Sequence, residues 1–135
     1  MPSVFDKLNL KEEREIVVLN APASFDAELQ TLRKVKVVRT LGAVESVTFA
    51  LVFATQKSQV ERLSKSLAAK ALGDAILWFA YPKGTAPRLE CDFNRDNGWE
   101  VIRAAGWDSV RQVAIDADWS ALRFRRKEFI NRRSR

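Results

Sequence analysis

Three apolar runs without a polar interruption organise the chain: residues 16–19 (Ile-Val-Val-Leu), 49–54 (Phe-Ala-Leu-Val-Phe-Ala) and 75–81 (Ala-Ile-Leu-Trp-Phe-Ala-Tyr). Such runs predict strands covered on both faces, as in a parallel sheet, because a half-exposed strand would alternate instead. Val35, Val37 and Val38 mark a weaker strand, and the intruding Lys36 and Arg39 put it near a sheet edge. Further on, Val110, Val113 and Ile115 mark a fifth strand. Residues 120–126 then alternate, with Leu122 and Phe124 on one face and Arg123 and Arg125 on the other.

Helical spacing fills the gaps between these strands. Phe25, Leu29 and Leu32 share one face of a short helix for which Ser24 is the expected N-cap. Val60, Leu63, Leu67 and Leu72 form the stripe of a longer helix, opened by the capping-box pattern Ser58-Gln59-Val60-Glu61 and closed by Gly73. A third helix, from about Arg95 to Ala105, is expected to carry Trp99, Ile102 and Ala105 inward, with Asn94 as its cap and Gly106 as its stop. Residues 40–48 and 86–93 carry no decisive pattern. Asp116 to Asp118 form a polar turn too short for a crossover, so the last two strands pair antiparallel. The order β-α-β-β-α-β-α-β-β predicts an α/β fold. It is a three-layer, Rossmann-like sandwich whose mostly parallel sheet of about six strands ends in an antiparallel strand pair.

At 135 residues the chain fits one domain, with residues 1–15 as a polar lead-in and 127–135 as a basic tail. No apolar stretch approaches the ~20 residues of a membrane span, and the first residues lack the apolar core of a secretory signal. The one cysteine, Cys91, cannot form an internal disulfide, which suits a reducing compartment. The expectation is a cytoplasmic protein with no membrane partner. The net charge of +6 sits at one end: residues 123–135 hold seven basic side chains and one acid, so the rest of the chain is neutral. That basic end admits nucleic acid as a secondary class of partner.

The chain has no histidine, which excludes Ser-His-Asp, Cys-His and histidine-based metal chemistry. Cys91 stands beside Glu90 and Asp92, whose charges oppose a reactive thiolate. Asp116 and Asp118 suit a turn better than a hard-cation site. No catalytic residue, metal or cofactor is therefore assigned. In open α/β sheets, ligands bind beyond the carboxyl ends of the strands where strand order reverses. If it reverses beside the first strand, Asn20, Thr55 and Lys83 line one crevice. Arg95 near a helix start, Trp119 beside Asp118, and Arg123 complete the expected ligand-binding set. The expected occupant is a small anionic ligand or a protein partner, with the chain a monomer or a homodimer.

Residues 77–85 (Leu-Trp-Phe-Ala-Tyr-Pro-Lys-Gly-Thr), Phe93-Asn94-Arg95-Asp96 with Gly98-Trp99, and residues 110–116 with 118–123 resemble a bacterial family of small Rossmann-like proteins of unknown function. The likeness runs from about residue 16 to 126 and implies no particular chemistry. More coarsely, the order of elements is similar to the later half of class I methyltransferases, which also end in an antiparallel strand pair. One departure bears on function. Asn20-Ala21-Pro22-Ala23-Ser24 stands where a donor-binding fold carries a Gly-rich turn, and Pro22 has no N–H to offer. The first reading is a non-catalytic module that binds a small molecule or a protein. The alternatives are a degenerate S-adenosylmethionine-dependent, methyltransferase-like enzyme and a nucleic-acid accessory protein using its basic C-terminus.

Overall fold

The computed structural model describes residues 4–11, 13–83, 91–93 and 97–131. Its elements are helix α1 (Val4–Lys7), strand β1 (Glu15–Leu19), a 3-10 turn (Ala23–Phe25) leading into α2 (Asp26–Leu29), β2 (Lys36–Val38), β3 (Val47–Phe53), α3 (Lys57–Lys70), β4 (Ala71–Pro82), α4 (Glu100–Ala104), β5 (Trp107–Ala114), β6 (Trp119–Arg126) and α5 (Lys127–Asn131). All six strands join one sheet in the order β2-β1-β3-β4-β6-β5. Strands β2, β1, β3 and β4 are parallel, and β6 is antiparallel to both β4 and β5. This is the mostly parallel α/β sheet with a terminal antiparallel pair that the apolar runs predict.

The unbroken runs are buried because both faces of β1, β3 and β4 are covered. On one face Val17, Leu19, Ala50, Val52, Leu77 and Phe79 pack beneath Val60, Leu63 and Leu67 of α3 and Ile102 of α4. On the other, Ile16, Val18, Phe49, Leu51, Phe53 and Trp78 pack beneath Val4 and Phe5 of α1, Leu8, and Phe25 and Leu29 around α2. Trp78 is fully buried, and its indole Nε1 donates to the Leu8 carbonyl at 2.8 Å, which ties the start of the chain to the centre of the sheet. The weak valine strand β2 is an edge, as its basic residues indicate.

Several local expectations change. The cap of α3 is Gln56, not Ser58, and its capping box pairs Gln56 with Gln59 instead of Ser58 with Glu61. Gln56 stands two residues before Ser58 and accepts from the Gln59 amide, while the Gln59 side chain accepts from the Gln56 amide, so the helix starts earlier. It also ends earlier, at Lys70, because β4 begins at once. Leu72 is consequently 55% exposed and Gly73, at φ +53°, lies inside β4. Ser24 does not cap α2: it lies inside the 3-10 turn, whose cap position is Pro22, with no side-chain bond. The third helix is confined to Glu100–Ala104, and its expected start at Asn94 and Arg95 lies outside the described residues. The undecided residues 40–48 hold a 3-10 turn, Leu41–Ala43, and then extended chain entering β3. Lys70 at the end of α3 holds this crossover by donating Nζ to the carbonyls of Leu41 and Val44 at 3.1 and 2.5 Å.

A two-pronged ion pair joins β6 to the start of β4. Arg125 donates from Nε and Nη2 to the two carboxylate oxygens of Asp74 at 2.8 and 2.6 Å. The Arg125 guanidinium holds the Asp74 carboxyl below the ordinary carboxylate range, against the opposing effect of burial. A depressed folded pKa stabilises above the unfolded pKa and is lost as pH falls through the folded value. Both side chains are partly exposed, at 25% and 35%, so solvent screening limits the pair to about 1 kcal/mol or less. Asp74→Asn is expected to lower stability by about that amount at pH 7. Urea titrations of both proteins should draw together as the pH falls below about 4, the ordinary aspartate value, and converge once it is below the depressed folded value; a difference that persists at that point would mean the pair acts through packing.

Candidate functional site

The strand order reverses beside β1: the chain leaves β1 for β2 on one side and returns to β3 on the other. A ligand crevice is expected at such a point, between the carboxyl ends of β1 and β3. Asn20 follows β1 directly and takes φ +61°, a left-handed conformation that asparagine tolerates better than most residues. Its Nδ2 donates to the Phe53 carbonyl at the end of β3, at 3.3 Å. The first residue of the loop thus bridges the two strand ends. Below it, on the α1/α2 face, rings run in contact from Phe5 to Phe25 (5.7 Å between centroids), Phe53 (5.0 Å) and Trp119 (5.1 Å).

Thr55 stands one residue past Ala54 on the β3 side, at the mouth of an open pocket of about 470 Å³ lined, among the described residues, by Thr55, Gln56, Cys91 and Asp92. The first turn of α3 points toward this pocket, but its first amide and those just before it are already used. Lys57 donates its backbone N–H to Asp92 Oδ1, and the side chain of Gln59 accepts from the amides of Thr55 and Gln56 at 2.9 and 3.1 Å. Asp92 in turn donates its own amide to the Thr55 carbonyl at 3.3 Å. A helix start is a ready anion site only while its N–H groups are free; here a protein carboxylate occupies that position. Cys91 donates from Sγ to the Phe93 carbonyl at 3.1 Å. Burial pushes its thiol up, with Asp92 adding to the shift, so the pocket holds no activated nucleophile among its described residues.

The remaining expected contacts are dispersed. Lys83 sits one strand farther along, half-buried, with its amide donated to the Asp118 carbonyl at 2.8 Å. Trp119 is buried, its ring edge-on to Phe53, and its amide donates to Asp116 Oδ1 at 2.9 Å, as does that of Asp118 at 2.8 Å. Asp116 is thus a turn-former, the role its spacing indicates. Arg123 lies mid-strand in β6, opposite Trp78, away from the strand ends. Arg95 lies outside the described residues. The structure therefore sets Asn20 and Thr55 at the adjacent ends of β1 and β3, with Thr55 lining the pocket, sets Lys83 and Trp119 beside the neighbouring strand ends, and separates Arg123 from them. Gln56 and Asp92 line the pocket but are absent from the expected ligand set; the pairing of Asp92 with a helix start 35 residues earlier has no local signal. No cluster of three or more metal-ligating side chains occurs among the described residues, and no described helix is long and apolar enough to cross a membrane.

Comparison with solved structures identifies the scaffold. The fibrillarin pre-rRNA processing protein of Methanococcus jannaschii superposes with a TM-score of 0.56 at 13% identity, over 87% of this chain and 68% of that one. The N-methyltransferase NodS of Bradyrhizobium japonicum gives 0.53 at 12% identity, over 84% and 85%. Phosphoethanolamine N-methyltransferase 2 of Haemonchus contortus, solved with S-adenosylhomocysteine, gives 0.58 at 9% identity, over 93% of this chain but only 38% of that one. The fold is methyltransferase-like. At such identities the likeness establishes the fold alone. No protein-family model and no curated protein matches the chain, so nothing further supports the resemblance to a bacterial family.

A methyltransferase-like fold implies S-adenosylmethionine, a nucleoside carrying an amino acid. The residues present do not fit it. The β1 loop has no glycine to let a ligand approach the backbone, and Pro22 in that loop has no N–H. Nucleoside sites on such sheets place an acid near the end of the second strand for the ribose hydroxyls. Here Val38 is followed by Arg39 and Thr40, and Arg39 faces Asp26 at 4.0 Å.

Proposed function

We propose that this chain is a binding module built on a methyltransferase-like scaffold, without a nucleoside methyl donor of its own. The observation that carries this reading is Asn20: its side chain spans from the end of β1 to the Phe53 carbonyl at the end of β3, so the loop itself fills the head of the crevice. What stays open is the polar pocket of Thr55, Gln56, Cys91 and Asp92. Asp92 on its wall disfavours an anion there, so the reading is a neutral, hydrogen-bonding ligand or a short segment of a protein partner. Among the described residues the pocket's carboxylate, Asp92, is engaged by the Lys57 amide and burial raises the Cys91 thiol, so the reading is binding without a bond-making step.

The second reading, a degenerate S-adenosylmethionine-dependent enzyme, is favoured by the fold itself, which this chain shares with methyltransferases. Calorimetric titration of the full chain with S-adenosylmethionine separates the two. The binding-module reading expects no saturable heat. A saturable isotherm in the micromolar range would displace it in favour of the enzyme.

A further inference from the structure

The register of the last two strands brings like charges together. Ser109 of β5 faces Phe124 of β6, but the next matched pair is Arg111 with Arg123, because Val110 is an extra residue in a bulge. Without that bulge Val110 would oppose Arg123. With it, two arginines stand directly across from each other on one face, an arrangement that is unfavourable when nothing lies between them. Arg125 is two residues along the same face, but Asp74 engages it through both carboxylate oxygens. Asp108, the register partner of Arg125, is 3.8 Å from Arg103. Among the described residues no carboxylate forms an ion pair with Arg111 or Arg123.

Arg123 adds a second, independent observation. Its guanidinium is half-buried, and its Nε is sealed from solvent with no hydrogen-bond partner among the described residues. Buried donors are almost always satisfied, so the isolated Nε leaves this guanidinium under-satisfied, with only its outer part open to a partner. Burial disfavours the charged form of this side chain, and Arg125 and Arg111 oppose it further while Asp74 favours it. Its open neighbour Arg111 is exposed, so an anion approaching from solvent meets both guanidinium groups at once. Cross-strand neighbours stand about 5 Å apart at Cβ, a span that two guanidinium forks bridge around one tetrahedral oxyanion.

We propose that Arg111 and Arg123 bind a phosphoryl oxyanion on the open face of β5 and β6. The site is separate from the strand-end pocket and does not rest on the function assigned there. The phosphoryl group is carried either by a small phosphorylated molecule or by a nucleic-acid backbone; the recognition chemistry is the same.

The test is a side-chain NMR titration of the wild-type chain with inorganic phosphate, following the Nε–Hε signal of Arg123. A saturable shift is expected, absent when sodium chloride supplies the same ionic strength. Arg111→Gln alters an exposed residue and relieves repulsion, so its thermal midpoint should hold or rise while phosphate affinity falls about tenfold or more. A signal that moves equally in phosphate and chloride overturns the proposal, as does a shift of undiminished affinity in Arg111→Gln. A nucleoside monophosphate and a single-stranded RNA then identify the source. Affinity that climbs with RNA length and collapses with salt assigns a strand; equal affinity for the monophosphate and the RNA assigns a small molecule.

Discussion

Trp99→Ala is expected to destabilise the fold by about 3–5 kcal/mol, the range for removing a buried tryptophan or phenylalanine from a packed core. Trp99 is only 2% exposed. Its ring contacts Phe79, Tyr81, Phe93 and Phe124, with centroids 5.6, 6.0, 5.2 and 5.1 Å away. Those rings come from β4, from β6 and from the segment before α4, so one side chain links three pieces of chain. Collapse around the gap is limited because Phe79 and Phe124 are themselves fixed in the sheet by paired strands. A loss of that size is a large part of the roughly 5–15 kcal/mol that holds an ordinary domain together. Urea denaturation followed by far-UV circular dichroism measures it without relying on the deleted fluorophore. A loss under about 1 kcal/mol, the scale of a tolerated core swap, would show that the four rings repack and that Trp99 is not their centre.

The elements best read from the sequence are those whose pattern reports burial on both faces. Residues 49–54 and 75–81 are unbroken because β3 and β4 are neighbours in mid-sheet with helices above and below. Arg123 and Arg125 alternate with Leu122 and Phe124 because only one face of β6 is fully covered at that point. Boundaries were less legible for a physical reason. Gly73 resembles a helix stop, yet its positive φ serves the entry of β4, because α3 and β4 abut without a loop. The bulge at Val110 did leave a trace: Val110 and Val113 are three residues apart, and a regular strand cannot put both on one face. Val113 packs inward and Val110 is 42% exposed, as the extra residue requires.

Of the candidate site, the strand order that suggests it was legible and the contacts at the strand ends were not. Sheet topology places a crevice where the strand order reverses, and the apolar runs carry enough information to expect one. What fills that crevice depends on a backbone conformation at Asn20 and on a bond to a carbonyl 33 residues away. Neither has a signature in local composition. Arg123 shows the converse. Its charge and its face were readable, but its meaning depends on Arg111, which reaches the opposite position only through the bulge.

The wall of the strand-end pocket depends on a second glycine-specific feature, and Gly98→Ala is expected to cost about 2–5 kcal/mol through two effects that add. Gly98 has φ +101°, a conformation that side-chain-bearing residues rarely adopt. A Cβ there would also lie 2.6 Å from Cβ and 3.3 Å from Cγ of Phe93, which are the root of that side chain and not a flexible end. Phe93 is buried against Trp99 and Tyr81, so it yields only by moving its own backbone. That backbone carries Cys91 and Asp92, and Asp92 is the acceptor for the Lys57 amide at the start of α3. Faster hydrogen exchange at Lys57 should therefore accompany the loss of stability. Gly106→Ala separates the two effects, since Gly106 has φ +98° but open space around its would-be Cβ. It should show the strain alone, about 1–3 kcal/mol, with exchange at Lys57 unchanged. Equal costs at the two glycines would mean that Phe93 does not press on Gly98, and that the pocket wall is not held from this side.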